Sequence, residues 1–373
     1  MRRPFTFPLA LVALAAACAD RTPTAIDQST AVPATASGKK DAPAAQASVT
    51  VVMSNLDNPR GLAWGPEGAL YVTEAGTPTI KGPCAPAPRG QNCYSGTGAI
   101  TRLWKGTQER VATGLPSHVL VTPTGLGDVT GPHDISFQGK GNAYVTIGWG
   151  GAPAARAALG ALGQWFGATI RVTPNGSFDL VADIAGFEQA NNPAGGPLDS
   201  NPYGVLAEPG RQFVTDAGGN SILEVTANGS VSLVATLPPT VTNADAVPTE
   251  VVRGPDGALY VSQLTGVPFV AGNASIWRIV PGAAPQIYRT GFKTITDFDW
   301  GPDGSLYLVQ FASAPTFFGG PGLLIRVPPT GPPVTLNSSL TNPTGVLVGP
   351  DGAIYVSNRG NVAGVGEVLR IVP

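Results

Sequence analysis

Histidine is nearly absent from this chain: His118 and His133 are the only two in 373 residues, alongside three cysteines, Cys18, Cys84 and Cys93. So few imidazole and thiolate donors exclude a Cys/His zinc module. No Gly-X-Ser-X-Gly elbow occurs and neither histidine has a serine partner by spacing, which leaves a Ser-His-Asp hydrolase unsupported. A P-loop and a dinucleotide fingerprint are likewise missing. Charge is scarce at 12% of residues, and 22 basic against 24 acidic side chains leave a net charge of −2. No general nucleic-acid surface is built from that balance, and no nucleic-acid partner is expected. The N-terminal apolar stretch, Leu9 to Ala17, is too short to span a bilayer as a helix.

Turn residues are abundant, with 49 Gly and 37 Pro, and 43% of the chain is apolar. That combination suits many short strands around one large core. A phrase repeats: Gly65-Pro66-Glu67-Gly68, Gly254-Pro255-Asp256-Gly257, Gly301-Pro302-Asp303-Gly304 and Gly349-Pro350-Asp351-Gly352. Each copy sits between an apolar strand and a strand of the type Ala258-Leu259-Tyr260-Val261. Proline presets φ and glycine takes the positive-φ position, so each copy reads as a hairpin turn. The prolines at 255, 302 and 350 are 47 (302 − 255) and 48 (350 − 302) residues apart. An all-strand period of that length is one propeller blade.

Weaker copies at His133–Val145 and Tyr203–Val214 bring the inner hairpins to six. A third strand follows with an Arg or Glu flanked by apolar residues, as in Ile170-Arg171-Val172, Trp277-Arg278-Ile279 and Leu369-Arg370-Ile371. The last copy stops at Pro373 without an outer strand, and Val49 to Met53 match the missing piece. The expected fold is therefore all-β, a six-bladed β-propeller over residues 48–373, closed by an N-terminal strand pairing with 366–372. Closure removes unpaired edges. Four Asn-X-Ser sequons, at Asn175, Asn228, Asn273 and Asn337, read as turn chemistry.

Residues 1–18 read as a signal peptide: Arg2-Arg3, a short apolar core and small residues before Cys18. Leu14-Ala15-Ala16-Ala17-Cys18 resembles a relaxed bacterial lipobox, which makes Cys18 the expected lipidation site and the only membrane attachment. Residues 19–47 are too polar to build a core and form a tether. The expected location is extracytoplasmic, periplasm or cell surface. Cys84 and Cys93 remain as an even pair in an oxidising compartment, where a disulfide would staple the loop between them.

Aligning the six inner strands puts Arg60, His133, Tyr203, Thr249, Thr296 and Thr344 in one ring, and Gly61, Asp134, Glu250, Asp297, Gly204 and Gly345 in the next. Asp134, Glu250 and Asp297 are candidate metal ligands, hard oxygens suited to a Ca²⁺-like ion, with His133 as a catalytic proton shuttle. The competing reading has the acids bonding backbone amides between blades or pairing with Arg60. The second-strand ends add Glu74, Asp216, Gln263, Gln310, Asn358 and Arg359, which with Arg60, His133 and Tyr203 form the expected ligand-binding set at the channel mouth. Loops 75–97, 148–167, 264–274 and 312–322 crown this face. The 148–167 loop carries a short helix candidate and aromatics that either cover the channel or pack among themselves.

Asn58-Pro59-Arg60-Gly61-Leu62, Gly131-Pro132-His133-Asp134-Ile135 and Asn201-Pro202-Tyr203-Gly204-Val205 resemble the ScyD/ScyE family of exported propeller proteins over residues 48–373. More distantly, the chain is similar to NHL-type propellers and to the gluconolactonase-like group. The first resemblance implies fold and export; the second implies a Ca²⁺-assisted lactone or ester hydrolase. No other cofactor is implied. The expected partner is a small molecule or an envelope protein, bound by a monomer.

Overall fold

The computed structural model describes residues 48–139, 141–314 and 316–373. The expectations for the signal segment, Cys18 and the tether lie outside those residues. The described strands form seven four-stranded antiparallel sheets. Six make a ring. Their inner strands are Pro59–Trp64, Pro132–Gln138, Pro202–Glu208, Pro248–Arg253, Ile295–Trp300 and Gly345–Val348, the start of blades 1 to 6. Neighbouring inner strands touch in that order and the sixth touches the first. In blade 6 the outer strand is Ser48–Leu56, antiparallel to Gly366–Val372, with Ser48 opposite Val372 and Leu56 opposite Gly366.

Burial follows position along each blade. The second strand of blade 1, Leu70–Glu74, is buried at every residue, because a neighbouring blade covers each face. The outer strand Phe178–Asp183 of blade 2 alternates and is largely exposed. Apolar clusters fill the interfaces between blades, such as Phe213, Ile222, Val251, Leu259, Val261 and Ile279 between blades 3 and 4.

The repeated turn owes its composition to three demands. Gly68, Gly257, Gly304 and Gly352 adopt φ of 79°, 79°, 74° and 76°, which strains any residue with a Cβ. The first glycine makes room for the tyrosine ring six residues on: a Cβ on Gly65 would lie 2.3 Å from Tyr71, and one on Gly254 2.2 Å from Tyr260. The acid between them caps its own turn, Asp256 accepting from the Ala258 amide at 3.2 Å. It also pairs with the arginine of the third strand: Asp256–Arg278 at 2.7 Å, Asp303–Arg326 at 2.5 Å and Asp351–Arg370 at 2.6 Å. Those pairs are partly exposed and stabilise only modestly. They account for the third-strand arginine of the repeat.

The seventh sheet is built from two inserted hairpins, one between the second and third strands of blade 1 and one between blades 1 and 2. Its strands are Cys84–Ala87, Gly90–Tyr94, His118–Thr122 and Gly125–Thr130. The 75–97 region, expected as a loop, is therefore partly a hairpin. Cys84 and Cys93 face each other in it and form the disulfide, with Cα atoms 3.9 Å apart. The bond points to an oxidising compartment. Among the described residues no helix is long and apolar enough to cross a membrane.

Candidate functional site at the channel mouth

Inner strands of blades 1 to 5 each begin with a register shift, for example between Pro132 and Ile135 or between Pro202 and Val205. A bulge there lifts two residues out of the ladder and re-aims them. Hydroxyls on the second strand replace the lost backbone partners. The amides of Asp134, Gly204 and Glu250 donate to Thr146, Thr215 and Ser262 at 3.1, 2.8 and 2.9 Å. Thr73, Thr146 and Thr215 donate onward to the carbonyls of His133, Tyr203 and Thr249 in the next blade. The first ring joins blades the same way. His133 Nδ1 donates to Pro202 O at 2.9 Å, Thr249 to Ile295 O at 3.0 Å, Thr296 to Pro343 O at 3.0 Å and Thr344 to Pro59 O at 2.7 Å. Thr249, Thr296 and Thr344 are thus part of the ring's stitching.

Most of the second-strand ends serve the fold as well. Glu74 is fully buried, accepts from the Asp57 amide at 2.6 Å and from Thr101, and pairs with Arg110. Asp216 accepts from the Asn201 amide at 2.6 Å and from the Ser200 hydroxyl at 2.7 Å. Gln310 accepts from the Lys293 amide at 2.8 Å, and Asn358 from the Thr341 amide at 2.7 Å. In each of these four the side chain clamps the segment that leads into its own blade's inner strand. Gln263 instead accepts from the Trp277 indole at 2.9 Å. Arg359 is half-exposed and pairs with Glu367 at 3.2 Å. The buried five, expected in the ligand-binding set, each bond a protein group as well; alternation of burial cannot distinguish a clamp from a ligand contact.

Three mouth residues remain with unused capacity. Arg60 donates to Gly360 O at 2.6 Å and Val129 O at 3.3 Å, yet its Nε has no partner. His133 stacks on Tyr203 with ring centroids 4.7 Å apart. Because His133 Nδ1 donates to a carbonyl, Nε2 is its unprotonated nitrogen, and burial plus the Arg60 charge push its pKa down to about 3. Among the described residues neither His133 Nε2 nor the Tyr203 hydroxyl has a hydrogen-bond partner. Burial raises the Tyr203 pKa, so the phenol stays a donor.

One level below lie Asp134, Glu250 and Asp297, all buried. Glycines let the acids reach the axis: a Cβ on Gly61 would sit 2.1 Å from Asp134 Oδ1, and one on Gly204 2.9 Å from Glu250 Cα. Asp134 accepts from the Val205 amide at 2.8 Å, Asp297 from the Val346 amide at 2.7 Å and Glu250 from its neighbour Val251 at 2.9 Å. Two of the three therefore bond amides across a blade boundary. Burial pushes Asp134 up to about 7, and burial together with repulsion from the other acids holds Glu250 and Asp297 well above the usual carboxylate range. Burial thus favours the neutral form of each. Among the described residues no three His, Cys, Asp or Glu side chains are grouped so as to hold a metal ion. The trio lines the top of a channel cavity of about 230 Å³ that continues past Ser136 and Asp299 to Trp64.

The crowning loops pack inward. Pro153–Trp165 forms a 3₁₀ segment, and Trp149 and Phe166 are fully buried against His118. His118 Nε2 donates to Trp149 O at 2.9 Å, and burial lowers its pKa to about 4. These aromatics fill a core beneath the inserted sheet. On the opposite side, Phe269 and Phe317 join loops 264–274 and 312–322, with centroids 4.8 Å apart.

No protein-family model matches the chain, and no curated protein matches it in sequence. The ScyD/ScyE resemblance rests on the quoted segments alone. Solved structures with the same architecture include a glucose dehydrogenase (TM-score 0.52, 14% identity, covering 87% of this chain and 99% of that one). A gluconolactonase from Xanthomonas campestris aligns with TM-score 0.50 and 12% identity over 88% of this chain and 90% of that one. A protein of unknown function from Bacteroides thetaiotaomicron gives TM-score 0.50 and 10% identity over 87% and 76%. At such identity these likenesses show the β-propeller fold and nothing finer.

Proposed function

We propose that the protein is an exported, lipid-anchored binding protein that takes a small hydroxy acid at the channel mouth. One observation carries this reading: Arg60, His133 and Tyr203 meet at the mouth with an unpartnered guanidinium nitrogen, imidazole Nε2 and phenol, while the other polar rim groups are used by the fold. A carboxylate accepts from Arg60 and Tyr203. A ligand hydroxyl donates to His133 Nε2. The acids below, whose neutral form burial favours, then face the ligand. Calorimetry with gluconate on the whole protein tests this: binding is expected, reduced at least tenfold in Tyr203→Phe. Absence of binding overturns the hydroxy-acid reading.

The second reading, hydrolysis of the corresponding lactone, is favoured by the three acids lying directly under His133. The residues do not form a metal cage, so no metal-dependent step is derived. Gluconolactone opening no faster than in buffer leaves the binding reading standing; acceleration lost in His133→Gln replaces it with the hydrolase. Lipidation at Cys18 supplies the membrane attachment, and a Cys18→Ser variant is expected in the soluble envelope fraction instead of the membrane.

A further inference from the structure

At the far end of the blades from the mouth, one arrangement repeats. The tyrosine of the second strand lies opposite the arginine of the third: Tyr71 opposite Arg102, Tyr144 opposite Arg171, Tyr260 opposite Arg278, Tyr307 opposite Arg326 and Tyr355 opposite Arg370. Blade 3, with Phe213 opposite Glu224, is the exception. In blades 1, 4, 5 and 6 the turn acid, four residues before the tyrosine, accepts from that arginine. In blades 1 and 4 it also accepts from the tyrosine hydroxyl. Blade 2 keeps Tyr144 and Arg171, but its sequence has Lys140 where the acid belongs. Arg171 pairs instead with Asp179 at 3.1 Å, and its Nε is left without a partner. A second departure faces this one across the same blade boundary. The residue before the aromatic packs against the preceding blade, and in five blades it is apolar: Leu70, Ala143, Leu259, Leu306 and Ile354. In blade 3 it is Gln212, 3% exposed and with its Oε1 unpartnered. Tyr144, Arg171, Asp179, Glu208, Arg211 and Gln212 line one cavity of about 290 Å³ between blades 2 and 3.

A buried amide oxygen without a donor costs stability unless something satisfies it. An arginine Nε and a tyrosine that lack their usual acid call for an acceptor, and the Gln212 oxygen calls for a donor. The charged side chains on the walls balance, with Arg171 on Asp179 and Arg211 on Glu208, each at 3.1 Å. Such walls suit a ligand without net charge. A carboxylate and an ammonium on one small molecule meet all three conditions. We propose that this cavity is a binding site for a free amino acid. Its carboxylate takes the place of the missing turn acid and accepts from Arg171 Nε and the Tyr144 hydroxyl. Its ammonium donates to Gln212 Oε1, with Asp179 and Glu208 on the same walls. The site shares no residue with Arg60, His133 and Tyr203 at the mouth.

Equilibrium dialysis of the whole protein against a mixture of ¹⁴C-labelled protein amino acids tests the proposal. The wild type is expected to retain at least one of them saturably. Arg171→Met is expected to reduce that retention at least tenfold, as loss of a hydrogen bond to a charged group implies. Gln212→Leu restores the residue type of the other five boundaries. It is expected to melt at or above the wild type, because it removes an unsatisfied buried amide, and to lose the retention. Tyr203→Phe, at the mouth, is expected to retain the amino acid as the wild type does. A wild type that retains none, a Gln212→Leu or Arg171→Met protein that retains as much as the wild type, or retention lost in Tyr203→Phe would each overturn the site.

Discussion

Glu74 shows how much one side chain can hold. Fully buried, it satisfies the Asp57 amide, the Thr101 hydroxyl and Arg110 at once. Removing one partner of such a pair leaves charge and donors uncompensated. Glu74→Ala is expected to cost about 3 kcal/mol in denaturant unfolding and to leave gluconate affinity unchanged, which separates a clamp from a ligand contact. Gly61 is constrained by space, since any Cβ meets Asp134 Oδ1 at 2.1 Å. Gly61→Ala is expected to destabilise by about 1–3 kcal/mol, as overpacking does, and an Asp134→Ala change in the same chain should recover part of that loss. Full stability in Gly61→Ala alone would contradict the packing described for the acid ring.

Among the elements, the hairpins were legible because their turn chemistry is local. Gly-Pro-Asp-Gly declares its φ angles, and the Asn-X-Ser turns at Asn175, Asn228 and Asn337 accept from the amides of Ser177, Ser230 and Ser339 as an Asx turn does. The inserted sheet was not legible. Its strands are short, lie at 84–94 and 118–130, and are separated by half of blade 1, so no local period marks them. The mouth showed the same division. Repeat alignment brought Arg60, His133 and Tyr203 to one level, but the jobs of Glu74, Asp216, Gln310 and Asn358 depend on bulges and on amides 15 to 17 residues away. No spacing rule reveals such pairings. A signal was present in hindsight: a Thr or Ser recurs at one register near the end of the second strand, as in Thr73, Thr146, Thr215, Ser262 and Ser357. The outer strand Ser48–Leu56 carries its own test. Leu56 is fully buried in a cluster with Leu62, Val72 and Val368, so Leu56→Ala is expected to cost 2–5 kcal/mol, about as much as a core truncation inside the ring. A loss below about 0.5 kcal/mol, the range of surface changes, would mean that this strand contributes little to the fold.

At the scale of the whole molecule, buried titratable groups set how stability varies with pH. Seven acids, Asp134, Glu188, Asp199, Asp216, Glu250, Asp297 and Asp299, have pKa values raised in the fold. Each binds a proton in the native state that the unfolded chain releases near pH 4, so each destabilises the fold progressively as pH rises from about 4 through its folded value, which is about 6 to 7 for Asp134, Glu188, Asp216 and Asp299. His118 and His133 oppose this, because their lowered values of about 4 and 3 destabilise the fold as pH falls below about 6.5. Seven against two leaves the acids dominant, so in EDTA the melting temperature is expected to rise on going from pH 8 to pH 5. Glu250→Gln should flatten that slope; a melting temperature that falls over the same interval would contradict the burial of the acid ring.

The central claim, that the mouth binds through Arg60, His133 and Tyr203, is tested most directly by imidazole ¹⁵N–¹H NMR on histidine-labelled protein. With only His118 and His133 to resolve, His118 serves as an internal control buried against Trp149 and Phe166. The account predicts that gluconate shifts the His133 ring signals in a saturable way, leaves those of His118 in place, and loses this effect in Tyr203→Phe. Signals of His133 that stay fixed through the titration, or that move together with those of His118, would contradict it.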